Sequence, residues 1–79
     1  MTKNPSYDQV AVGDTYTSAL QYAGGQAWFY TSHVLKVHDA SMRFGKIDRI
    51  VTVEIQSSSG NIIDKNKLLW VSDLLAGLV

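Results

Sequence analysis

The stretch Lys46-Ile47-Asp48-Arg49-Ile50-Val51-Thr52-Val53-Glu54-Ile55-Gln56 decides the fold. Ile47, Val51, Val53 and Ile55 fall on one side of an alternation, and Asp48, Thr52, Glu54 and Gln56 on the other. A period of two marks a strand with one buried and one wet face. Arg49 and Ile50 interrupt the pattern near its start. The run stops at Ser57-Ser58-Ser59-Gly60, whose glycine is free to take positive φ, and apolar residues resume at Ile62 and Ile63. The pattern predicts a hairpin, with Val51, Val53 and Ile55 in the core.

Upstream, Met1 to Gln9 is polar and holds the single proline, which predicts a loose arm over 1–9 before one β-rich domain over 10–79. Gly13-Asp14 signals a turn. Thr15 to Tyr22 is rich in β-formers, with Tyr16, Ser18, Leu20 and Tyr22 on the expected core side. Gly24-Gly25 predicts a second hairpin turn, leading into a long strand over 27–37. In that strand Trp28, Tyr30, Ser32 and Val34 share one side, while Phe29, His33, Leu35 and Val37 share the other. Apolar residues on both sides predict a bent strand that passes between sheet layers. His38 to Gly45 reads as a helical turn or a wide loop. Two readings of the C-terminus stay open. Asp64 caps a helix from Lys65, with Leu68, Val71, Leu75 and Leu78 on its apolar face, or Leu68 to Val71 is a strand and Ser72 caps a shorter helix over 73–78.

A single four-stranded antiparallel sheet leaves two open edges, and curling into a barrel removes them. The expected fold is therefore a small antiparallel SH3-like barrel of four to five strands, with the C-terminal segment plugging one end. The alternative is a four-stranded antiparallel sheet with one C-terminal helix.

Composition narrows the function classes. The chain has 79 residues and no cysteine, which removes thiol catalysis, zinc–thiolate sites and disulfides and fits a cytoplasmic location. A domain this short buries only about 60% of its unfolded surface. Seven Lys/Arg balance seven Asp/Glu, whereas a dedicated nucleic-acid binder carries a basic excess. Hydrophobic residues are 46% and charged ones 18%. For so small a domain this leaves apolar groups outside and points to a protein partner or a homo-oligomer. No signal peptide is visible, and no apolar run is long enough for a membrane span.

No motif for catalysis, a metal or a cofactor stands out. His33 and His38, five residues apart, fall on opposite faces of a regular strand and have no carboxylate cluster beside them. The serine-rich turn lacks a nucleophile elbow, and Gly24-Gly25 lacks the Lys and Ser/Thr of a phosphate loop. The candidate partner-binding residues are the aromatics Tyr22, Trp28 and Tyr30 and the basic Arg43, Lys46 and Arg49. Aromatics on a sheet anchor interfaces or stack unpaired bases.

Val12-Gly13-Asp14-Thr15-Tyr16 and Trp28-Phe29-Tyr30-Thr31, followed by Val34-Leu35-Lys36-Val37, resemble the small SH3-like barrel proteins of bacteriophages and mobile elements. The likeness covers about half the chain. It implies a non-enzymatic accessory protein that binds and modulates a host protein or joins a larger complex. The rival expectation is a nucleic-acid-binding barrel with an aromatic and basic face.

Overall fold

A computed structural model describes residues 8–78. Most of the expected arm, residues 1–7, lies outside that range, as does residue 79. The described chain is mainly β. In order come β1 (Thr15–Thr17), β2 (Gln21–Ala23), β3 (Gln26–Trp28), β4 (Tyr30–Arg43), β5 (Lys46–Ser57), β6 (Ile62–Trp70) and helix α1 (Val71–Leu75). β1, β4, β5 and β6 form an antiparallel sheet in the order β1-β4-β5-β6, and β2 and β3 form a separate two-stranded ribbon. The sheet does not close into a barrel, because β1 and β6 remain its edges. This is the alternative architecture, a four-stranded sheet with a C-terminal helix, plus one extra ribbon.

The deciding stretch behaves as its alternation requires. Val51 and Val53 are fully buried and Ile55 nearly so. Val10, Val34, Val71 and Leu74 complete the core, with Tyr16, Tyr30, Val37 and Leu69 packed against it. Ile47 departs from the pattern and is 56% exposed. The molecule is 43 Å long and 22–25 Å across, and the β4–β5 hairpin is longer than the core that covers it.

β4 corrects two expectations. It continues through His38–Arg43, where a loop or helical turn was predicted, because after an irregularity at His38 and Asp39 the residues Ala40–Arg43 pair in register with β5 down to Arg43↔Lys46. It is also not apolar on both faces. An extra residue between Val34 and Lys36 shifts the register, so Ser32, Val34 and Val37 all lie opposite core residues Ile55, Val53 and Val51. A one-residue bulge inverts the side-chain alternation beyond it. Leu35 is thereby turned out, at 45% exposure.

The first expected strand breaks after Thr17. Tyr16 and Ser18 face inward, but Leu20 and Tyr22 are exposed, because the ribbon β2–β3 stands off the sheet. The helix from Lys65 does not form, since Leu68, Leu69 and Trp70 pair with Thr52, Val51 and Ile50. The strand-then-helix reading is nearer, but its cap differs. Trp70 holds the N-cap position without a side-chain bond. Instead the carboxylate of Asp48, on β5, accepts the Ser72 N–H at 3.3 Å. The helix then buries Val71 and Leu74, and Gly77 follows its C-cap Ala76; the Gly77 carbonyl accepts the Ala19 N–H at 3.3 Å. A Cβ on Gly77 would sit 2.9 Å from the Ala19 nitrogen, and its φ is +76°, so only glycine fits this contact.

Candidate interaction surface

Five of the six candidate binding residues fall into two groups, and Arg49 lies further into the sheet, opposite Ala40. Tyr30 opens the 14-residue strand β4 and Arg43 closes it, roughly 40 Å apart at the usual rise of a strand. Tyr22, Trp28 and Tyr30 therefore stand at one end of the sheet, and Arg43 and Lys46 at the other. Within the first group, Tyr22 pairs with Ala27 and Trp28 with Gln21, so the two rings point to opposite faces of the ribbon. Tyr22 is 74% exposed, Trp28 is half-buried, and Tyr30 packs on the core.

The arginines are engaged by acids. Arg49 meets Asp8 at 2.9 Å and donates to the His38 carbonyl at 2.7 Å. Arg43 lies 3.0 Å from Asp73 and 3.9 Å from Asp48. It also donates to the Ser72 hydroxyl at 3.3 Å. Asp48 is buried. Burial alone would raise its pKa. The Ser72 hydroxyl, the N–H groups of Arg49 and Ser72 and the charge of Arg43 outweigh that and hold the carboxyl below its ordinary value. This cluster ties the start of β5 to the start of α1. Lys46 is exposed beside Arg43 in the hairpin.

The two histidines share a face, against expectation. His33 lies within 3.4 Å of the Gln56 side chain and 3.2 Å of Thr15, and His38 within 2.8 Å of Thr52. Thr52 and Gln56 alternate along the outer side of β5, and the bulge at Leu35 brings His38 round to it. Among the described residues no group of three metal-capable side chains comes together. At the opposite face, Tyr16 donates to Asp14 at 3.1 Å. Burial, that bond and the Asp14 charge raise its phenol pKa. A shallow depression lies among Tyr30, Ile55, Ile63, Asp64 and Lys67.

The most unusual surface is the tip of the β4–β5 hairpin. Phe44 and Gly45 form its two-residue turn, with φ of +51° and +76°. Two successive positive φ values define the turn type that suits a right-twisted hairpin, and its first position favours asparagine, aspartate or glycine. Phenylalanine there carries backbone strain. Its ring is 90% exposed. Met42 and Ile47 pair across the hairpin beside it, at 61% and 56% exposure. Behind the tip, the Arg43 guanidinium stacks between Phe44 and Trp70, at 5.1 and 5.2 Å. Sequence reasoning passed over Met42, Phe44 and Trp70 and set Ile47 on the buried side of its strand. The available signal was Gly45 followed by the clear strand, but phenylalanine before that glycine hid the turn.

Comparison with protein-family models, with curated proteins and with solved structures found no match. The candidate surface therefore rests on geometry alone.

Proposed function

We propose that this protein is a non-enzymatic protein–protein interaction module, and that the β4–β5 hairpin tip is its docking element. One observation carries the reading. Phe44 keeps a strained backbone conformation and a 90% exposed ring at the end of the longest hairpin. A residue that costs stability and is buried by none of the described residues is explained by a contact made elsewhere. Met42 and Ile47 widen the apolar tip, and Arg43 and Trp70 stiffen its base. Aromatic side chains inserted into a partner's pocket are the usual anchors of such interfaces. The resemblance in Val12–Tyr16 and Trp28–Val37 supports a finer version: a cytoplasmic SH3-like accessory protein of a phage or mobile element, acting on a host protein.

The test is capture from cell lysate on immobilised protein, read by mass spectrometry, with Phe44→Asn alongside. Asparagine suits the turn, so the variant stays folded. A partner held by the wild type and lost with Phe44→Asn is the expected result. A partner held equally by both would remove the hairpin tip from the reading.

The nucleic-acid alternative draws on the stacked Phe44–Arg43–Trp70 array, which offers a base a ring to lie on. Asp48 and Asp73 on Arg43, and Asp8 on Arg49, oppose phosphate there.

A further inference from the structure

β4 has β5 along one side throughout, but among the described residues a strand pairs with its other side only at the start. β1 covers Thr31–His33. The next residue, Val34, gives both backbone groups to the preceding loop: its carbonyl accepts from Gly13 and its N–H donates to Asp14, each at 2.9 Å. From Leu35 onward no strand of the described residues lies there. Register shifts between Val34 and Lys36 and between Val37 and Ala40 disrupt this edge as far as Asp39. Ala40 to Arg43 is regular again, pairing residue by residue with Arg49 to Lys46.

The direction of the backbone groups follows from the turn. In a two-residue hairpin the closing pair, here Arg43 and Lys46, exchanges both hydrogen bonds. Alternation then aims Ser41 at β5 as well, and aims the N–H and C=O of Ala40 and Met42 outward. The side chains of Ala40, Ser41 and Met42 are exposed and uncharged. The other sheet edge is guarded: β6 carries Asp64, Lys65 and Lys67 and two register shifts.

We infer that this edge of β4 pairs antiparallel with the same edge of a second copy, about a two-fold axis at Ser41. The inference rests on the reading of the protein as an interaction module and names one partner for it. The open edge is complementary to itself. Setting Ala40 against Met42 of the second copy matches outward-pointing groups with outward-pointing groups, and forms two hydrogen-bonded pairs. The same register sets the large Met42 beside the small Ala40 of the other chain, twice, and extends the Met42–Ile47 apolar row across the junction. It also sets Phe44 opposite His38 of the other chain. Two four-stranded sheets become one of eight. Only about four residues of each chain pair, so the interface belongs to the small, weak class and assembles in the micromolar range or above.

Ser41 faces its own copy in a non-hydrogen-bonded pair, where Cα atoms lie about 4.5 Å apart, within reach of a disulfide. The chain has no cysteine, so Ser41→Cys reports on this contact alone. At about 100 µM protein under mild oxidation, Ser41→Cys should form a linked dimer at least ~10-fold faster than Ala23→Cys on the exposed ribbon. Light scattering of the unmodified protein should approach twice the monomer mass. Met42→Lys, which changes an exposed side chain, should keep the circular dichroism and melting temperature and return the mass to that of a monomer. A wild-type monomer at this concentration, equal linking by the two cysteine variants, or a dimer that survives Met42→Lys would each overturn the inference. A monomer whose captured partner is still lost with Phe44→Asn would sink the dimer and leave the interaction-module reading standing.

Discussion

Val53 has no exposed surface and lies between Val34 and Lys67 in the sheet. Val53→Ala removes buried methyl groups and leaves a gap, at a cost of about 1 to 3 kcal/mol. In a domain of this size the melting temperature should drop by roughly 5 °C or more; thermal denaturation followed by circular dichroism checks it. Phe44 should respond in the opposite sense. Phe44→Asn relieves a left-handed strain of about 1 kcal/mol, less the weaker stacking lost on Arg43. The variant should melt a few degrees higher than the wild type. A lower melting temperature would show that Phe44 supports the fold and is not held there for a contact.

Helix α1 is only five residues long and its own N-cap, Trp70, supplies no side-chain bond. Its start is held from another element, through Asp48 on β5. This makes the β5–α1 junction sensitive to acid. A carboxyl whose folded pKa is depressed contributes stability that is present above its unfolded value and lost as pH falls through the folded one. For Asp48 that loss begins as pH drops below about 4. Asp48→Asn should therefore lower the melting temperature clearly at pH 7, and the difference from the wild type should narrow progressively as pH falls below about 4 and the wild type's carboxylate becomes protonated. A difference that does not narrow would show that packing, not charge, holds the helix. Bulges act at the same scale: the one at Leu35 decides which face of β4 is core, and it puts both histidines on one side of the sheet.

Over the whole molecule the charges balance, and both arginines lie against acids. Asp8 lies against Arg49, and Asp48 and Asp73 against Arg43. A nucleic-acid binder loses affinity with salt by nearly one logarithmic unit per phosphate contact, and this surface offers few such contacts. Fluorescence anisotropy with labelled single- and double-stranded oligonucleotides should give dissociation constants weaker than roughly 10 µM at near-physiological salt. A salt-sensitive sub-micromolar constant that is lost in Phe44→Ala would promote the nucleic-acid alternative instead.

By itself the sequence determined the elements whose signals are local. The alternation in Val51-Thr52-Val53-Glu54-Ile55 named three core residues, and the glycines at 24, 25 and 60 marked two hairpin turns, because side-chain period and positive φ depend only on neighbours in the chain. Tertiary structure decided what depends on partners far along the chain. Register with β5 made His38–Arg43 a strand, inserted the bulges and placed Leu68–Trp70 in the sheet instead of a helix. Cross-strand pairing overrode the helical spacing of those leucines, since backbone bonds and packing to Ile50, Val51 and Thr52 outweigh a weak local preference. The candidate surface was illegible for the same reason. Exposure of Phe44, Met42 and Ile47 follows from the reach of the hairpin beyond its core, and that length is fixed only once β4 and β5 have paired.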